Sequence, residues 1–154
     1  GNHLFKCYWN KEKETKQSLK NGKLFTGDLA RKDEDGYYYI TGRKKDIIIS
    51  GGENIYPLEI ENVLNAFPGV DSSVVLGLPD KKWGEKVVAM VSSQYPERLT
   101  EEDLQQFCRQ RLGSYKVPRE ILIVDKLPLN GVGKIDKGKV REYFTLQKAS
   151  VKSL

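Results

Sequence analysis

Two short stretches hold the residues best suited to chemistry. Residues 128–136 read Pro-Leu-Asn-Gly-Val-Gly-Lys-Ile-Asp, and residues 42–57 read Gly-Arg-Lys-Lys-Asp-Ile-Ile-Ile-Ser-Gly-Gly-Glu-Asn-Ile-Tyr-Pro. Lys134, preceded by Gly131 and Gly133, can be carried deep into a site. There it is a point charge with three donors, suited to phosphate and carboxylate oxygens. Arg43 can offer its guanidinium fork to a ribose or a phosphate, and Gly51 and Gly52 leave bare backbone N–H groups nearby. Taken singly, each feature also has a plain structural reading. Lys134 could be a solvated lysine in a turn, and Arg43 a surface partner of Asp46 or Glu53. Gly51-Gly52 could simply end a strand.

The elements that must position these residues are legible in outline. Asn10 to Lys20 is polar and reads as helix. Asp33-Glu34-Asp35-Gly36 is a strong turn signal ahead of the aromatic and β-branched run Tyr37 to Thr41, so a hairpin is expected there. Ile47-Ile48-Ile49 reads as a short buried strand ended by Ser50-Gly51-Gly52. Pro57 suits the first turn of a helix whose apolar face is Leu58, Ile60, Val63, Leu64 and Phe67, stopped by Pro68-Gly69. Val70 to Leu78 and Glu85 to Ser93 read as strands. Thr100 and Asp103 resemble a capping box for a helix carrying Leu104, Phe107, Cys108 and Leu112. Glu120 to Val124 reads as a strand, and Asp136 as the cap of a last helix through Val140, Tyr143 and Phe144.

Composition narrows the class. With 31% charged and 38% hydrophobic residues the chain is globular rather than disordered. No apolar run approaches the roughly 20 residues of a membrane span, and no signal peptide is visible. Cys7 and Cys108 lack metal spacing, which fits a reduced, cytoplasmic chain with no metal site of its own. The net charge of +5 is spread along the sequence without an RNA-binding aromatic signature, so nucleic acid is not expected as a partner. Small polyanions such as nucleotides would use the same positive field. His3, the only histidine, has no partner signature for acid–base or metal work.

Four segments, in order, carry a resemblance. They are Phe25-Thr26-Gly27-Asp28, Tyr39-Ile40-Thr41-Gly42-Arg43, Ser50 to Glu61, and Asn130 to Asp136. Together they resemble the adenylate-forming superfamily: acyl-CoA synthetases, adenylation domains of nonribosomal peptide synthetases, and beetle luciferase. The Ile-Ile-Ser-Gly-Gly-Glu-Asn-Ile-Tyr-Pro version is most similar to acyl-CoA synthetases. The resemblance implies an α+β fold, a small mixed sheet with about three helices, preceded by a β-hairpin segment from the end of a large N-terminal domain. Residues 1–43 would be the tail of that domain, and 44–154 a mobile C-terminal domain with its hinge near Lys45. Cys7 departs from the glycine usual in relatives, away from every expected site residue.

The activity so implied joins a carboxylic acid to CoA, using ATP and Mg²⁺, through an acyl-adenylate. Lys134 is expected to bridge carboxylate and nucleotide oxygens during adenylation. Asp28 would accept both ribose hydroxyls, and Arg43 would contact the ribose or phosphates. Lys45 would absorb the torsion change as the small domain rotates between half-reactions. Gly51 and Gly52 would let the pantetheine arm of CoA pass. Glu53 and Asn54 match the motif without a catalytic task, and Tyr56 and Trp83 read as packing or interface residues. The phosphate-binding loop, the Mg²⁺ ligands and the acid pocket would belong to the missing N-terminal domain, leaving the isolated fragment inactive. Two rival readings stand beside this one: an adenylation domain loading a carrier protein, and a non-catalytic docking module.

Overall fold

In the computed structural model, residues 3–151 are described, with side chains through residue 146. Backbone contacts divide the chain into two units, Gly1–Lys45 and Asp46–Leu154. In the first unit a short helix α1 (Glu12–Ser18) leads into a pair of two-residue strands, β1 (Leu19–Lys20) and β2 (Lys23–Leu24). Asn21 and Gly22 turn between them with φ of 50° and 71°, the left-handed values that a tight hairpin requires. The expected second hairpin follows as antiparallel β3 (Asp28–Lys32) and β4 (Tyr38–Arg43). Asp33 builds its turn: Oδ1 accepts from the Tyr37 N–H at 2.8 Å, and its carbonyl accepts from the Gly36 N–H.

The second unit opens with another tight hairpin, β5 (Ile48–Ser50) and β6 (Glu53–Ile55). Then follow α2 (Pro57–Asn65), the long hairpin β7 (Ser72–Asp80) and β8 (Gly84–Ser92), α3 (Glu101–Arg109), β9 (Glu120–Val124) and α4 (Lys137–Val151). β7 pairs antiparallel along the whole of β8. The other edge of β8 is shared: Gly84 pairs with Ser50 of β5, and Val88 to Ser92 pair in parallel with β9. The result is the expected mixed sheet, five strands with three helices.

Alternation along the strands explains why both faces are covered. Val75, Val87, Ala89 and Val91 pack with Ile60 and Leu64 of α2 and Leu104 and Cys108 of α3. Val74, Leu76, Leu78, Val88 and Met90 point the other way, against Val140 and Phe144 of α4. Period-two side-chain alternation sends neighbouring residues to opposite layers. A strand buried on both faces therefore reads as a continuous apolar run. Each fully buried Val, Leu or Ile contributes about 1.5–3 kcal/mol by leaving water.

Several local expectations needed adjustment. The strand near residue 47 begins at Ile48, and its middle residue Ile49 is 56% exposed, because a three-residue strand at the sheet margin buries one side only. β6, from Glu53, was not anticipated; its first two residues are polar and exposed, so no apolar pattern marks it. α3 stops at Arg109, leaving Leu112 beyond it, and Tyr143 is half-exposed on the outer side of α4. The caps are as expected. Thr100 Oγ1 accepts from the Asp103 N–H at 3.1 Å, and Asp136 Oδ1 accepts from the N–H groups of Gly138 and Lys139. Among the described residues no helix is long and apolar enough to cross a membrane.

Candidate functional site

The Lys134 loop is a small, tightly bonded construction. Leu129 and Ile135 form an antiparallel bridge, and the Asp136 N–H donates to the Pro128 carbonyl at 2.8 Å. Inside that closure the Asn130 N–H donates to the Lys134 carbonyl at 2.7 Å. Asn130 Oδ1 accepts from the N–H groups of Val132 and Lys134. Gly133 supplies the positive φ, 77°, that lets the loop close. The backbone of Lys134 is thus fixed from both sides while its side chain stays exposed. Its ammonium has no ion-pair partner among the described residues.

Asp28 and Arg43 face each other across the β3–β4 hairpin, in register, with Arg43 Nε 3.0 Å from Asp28 Oδ1. Strand pairing holds Arg43 opposite Asp28, whereas Asp46 binds Lys137 at 2.8 Å. Thr26 Oγ1 accepts from the Asp28 N–H, which ties the start of β3 to the Thr26-Gly27 turn. Lys44 also donates its N–H to the Gly27 carbonyl at 2.8 Å. Lys45 lies exposed in a single 3₁₀ turn, Lys44–Asp46.

Gly51 and Gly52 are the two residues of the β5–β6 hairpin loop, at φ of 61° and 86°. That geometry favours glycine at both places. Beyond φ the two differ. A Cβ on Gly51 would meet the Trp83 ring at 3.0 Å, whereas a Cβ on Gly52 would meet nothing. Gly51 is therefore held by packing as well as by its torsion, and Gly52 faces open space.

Sequence reasoning left Trp83 as packing, and the structure gives it more to do. Its carbonyl accepts from the Gly51 N–H at 2.8 Å, and its ring carries Lys82 on one contact and Arg119 on another, 4.7 and 4.8 Å from the centroid. Asp80 Oδ1 accepts from the N–H groups of Lys82 and Trp83, and these bonds hold its carboxyl below the usual range. Glu85 was also missed. Its Oε2 accepts from the Ile49 N–H at 2.8 Å, standing in for a strand partner where β5 leaves β8. The partners are 36 residues apart in sequence, so nothing local could have signalled the bond.

Lys134 and the Gly51–Gly52 turn sit in separate loops of the second unit, joined by no hydrogen bond or ion pair among the described residues. Asp28 and Arg43 are together in the first unit. The chemistry on offer is largely cationic: an exposed ammonium on a stiff loop, an Asp–Arg pair, and a glycine turn beside a cation-stacked indole. Among the described residues no three His, Cys, Asp or Glu side chains gather as a metal cluster.

Known proteins place these features in a family. Residues 59–134 match the family model of the AMP-binding enzyme C-terminal domain. The chain is 44% identical over 144 residues to a feruloyl-CoA synthase of Amycolatopsis sp, covering 94% of this chain and 29% of that protein. It is 44% identical over 142 residues to the long-chain-fatty-acid–CoA ligase FadD13 of Mycobacterium tuberculosis, covering 92% of this chain and 28% of the relative. Among solved structures, ATP-bound MatB from Rhodopseudomonas palustris superposes with a TM-score of 0.82 at 38% identity, over 94% of this chain and 29% of MatB. The chain matches the C-terminal domain of adenylate-forming enzymes. It spans under a third of the length of these relatives.

Proposed function

We propose that the protein is the C-terminal portion of an ATP-dependent acyl-CoA synthetase. In the first half-reaction a carboxylate oxygen of the acid bonds to the α-phosphorus of ATP and the bond to pyrophosphate breaks, leaving an acyl-adenylate. In the second, the sulfur of CoA bonds to the acyl carbon and AMP departs. Negative charge gathers on acid, phosphate and leaving group in the first step, so a placed cation is the chief need. Lys134 supplies it. Asp28 takes the ribose hydroxyls and Arg43 the ribose or phosphates. Lys45 is the hinge between a tail of the large domain, residues 1–43, and the mobile domain, residues 44–154.

The Gly51–Gly52 turn belongs to the second half-reaction, where it lets the pantetheine arm pass. The large N-terminal domain is the partner that completes the site, bringing the acid pocket and the ligands of the Mg²⁺ that accompanies ATP. ATP and CoA as substrates fit an enzyme that works in the cytoplasm. The names of the relatives, feruloyl-CoA synthase and fatty-acid–CoA ligase, support an acid–thiol ligase and leave the acid open.

The Lys134 loop carries this reading: a free ammonium on a backbone pinned by Asn130 is built for delivery, not for surface solubility. Lys134→Ala in the full-length enzyme is expected to lower acid-dependent pyrophosphate release on the order of a hundredfold or more. Thioester formation from supplied acyl-adenylate should be nearly unchanged. Equal losses in both half-reactions would refute the assignment. In the wild type, release across a panel of acids without any CoA-thioester would turn the reading toward a carrier-protein adenylation enzyme, and no release with any acid toward a docking module.

A further inference from the structure

One ion pair of the second unit joins the residue that follows the proposed hinge to the helix that follows the proposed catalytic lysine. Asp46 is the first residue of the second unit, directly after Lys45. Lys137 is the first residue of α4, directly after the cap Asp136 that closes the Lys134 loop. The two are 91 residues apart, and Lys137 Nζ donates to Asp46 Oδ2 at 2.8 Å. Both side chains are partly shielded, 38% and 27% exposed.

Lys137 sits where a lysine is least welcome. The first turn of a helix carries positive partial charge from its unpaired N–H groups and favours acidic residues. α4 has none in that turn beyond its cap Asp136, and Asp46 adds negative charge from another element. Glu61 of α2 adds to the same field. Its carboxyl is raised chiefly by burial, accepts from the Val75 N–H, and feels both Lys137 and Asp46. Exposed and half-exposed ion pairs contribute little to stability. What this one can fix is position.

We propose that Asp46 and Lys137 are positioning residues: a strut that fastens the base of the Lys134 loop to the chain immediately behind Lys45. Rotation at Lys45 then reaches Lys134 through one side-chain link in addition to the core packing of Leu127 and Ile135 on either side of the loop. From Lys137 it passes through Asp136, whose N–H is bonded to Pro128, into the loop closed by Asn130. α4 is also anchored in the core from its first turn onward, at Val140 and Phe144, so the strut adds a tether at Lys137, the helix residue nearest the loop. The inference rests on the reading of Lys134 as the adenylation cation and Lys45 as the hinge.

The test uses the full-length enzyme with Asp46→Asn, Lys137→Met, Lys137→Arg and the Asn/Met double variant, with Lys134→Ala run in parallel. Each half-reaction is measured separately, and melting temperatures show that the variants are folded. Asp46→Asn and Lys137→Met should each lower kcat for adenylation about tenfold or more, the scale of a slightly misplaced catalytic group. KM for ATP and the rate of thioester formation from acyl-adenylate should stay within about twofold. Lys137→Arg should retain activity, and the double variant should be no worse than either single one, as coupled partners are. Suppose instead that Lys137→Met adenylates normally, or slows both half-reactions alike, while Lys134→Ala blocks adenylation alone. The strut is then wrong and the site reading stands. Normal adenylation by Lys134→Ala would bring down both.

Discussion

The two units of this chain are stabilised in different ways. Every buried apolar residue of the described chain lies at or beyond Ile48, in two layers either side of one sheet. The first unit has hairpins and a short helix but no such centre. Tyr37, Tyr38, Tyr39 and Ile40 run side by side in sequence and are all exposed, Tyr37 at 68%, with Arg31 and Lys32 lying over two of the rings. Turns and cross-strand contacts shape the first unit: Asn21-Gly22, the Asp33 turn, the Asp28–Arg43 pair. The second has turn chemistry and a core. The contrast teaches that local signals are enough to draw a hairpin, while a closed hydrophobic layer is needed to hold a domain.

The two cysteines probe that contrast with the largest expected effect. Cys7 is exposed and Cys108 is buried in α3, where burial pushes its thiol from 9.0 up to about 11. That shift alone removes about a hundredfold of the reactive thiolate at neutral pH. Reaction also waits for local opening. Alkylation followed by mass spectrometry should therefore label Cys7 on the order of a thousandfold faster or more, with the gap closing in strong denaturant. Comparable rates in native buffer would mean that the second unit opens as freely as the first, and the comparison fails.

Side-chain truncation tests the same difference in equilibrium terms. Leu104 is fully buried between α3 and the sheet, so Leu104→Ala should lower the unfolding free energy of the second unit by about 2–5 kcal/mol. Tyr38→Ala, 71% exposed, should leave it within about 0.5 kcal/mol. Urea melts followed by Trp83 fluorescence in a Trp9→Phe background report on the second unit alone. A Leu104→Ala loss below about 1 kcal/mol would show the core to be plastic.

Much of this was legible in the residues because the signals were local. Pro57 at the first turn, Thr100 with Asp103, Asp136 as a cap, and Glu120 to Val124 as a strand each depend on neighbours within a few positions. The α+β class followed from the order of those elements, and the mixed sheet from the resemblance. What stayed hidden depends on chain separation. Glu85 finds the Ile49 N–H, Trp83 the Gly51 turn and Lys137 Asp46 only once the sheet has formed. β6 was missed because Glu53 and Asn54 show no apolar alternation, and Ile49 was read as buried because an apolar run does not reveal which side faces solvent. Among the expected site residues, the Asp28–Arg43 pairing was hidden too: a register shift between Leu29 and Ala30 sets Asp28 opposite Arg43, where counting back from the Asp35-Gly36 turn would have set it opposite Gly42. The stiffness of the Lys134 loop was equally out of reach, since it rests on the side chain of Asn130.

The smallest of the expected effects concerns Glu61, and its sign distinguishes two accounts of the second unit. Burial, the leading cause, raises this carboxyl above its ordinary 4.5, with the Val75 N–H and Lys137 pulling down and Asp46 pushing up. A carboxyl raised on folding takes up a proton as the chain folds. Its contribution is then most favourable below about pH 4.5 and is lost as the pH rises through the raised value. Glu61→Gln keeps an acceptor for the Val75 N–H and removes the titration. The variant should gain stability relative to the wild type as the pH rises from the ordinary carboxylate range, then hold level, by less than the leucine effect. Urea melts of both proteins across that range read the difference. If the wild type gains instead, attraction to Lys137 outweighs burial. Glu61 would then share with Asp46 the task of holding the start of α4, and the strut would have three members instead of two.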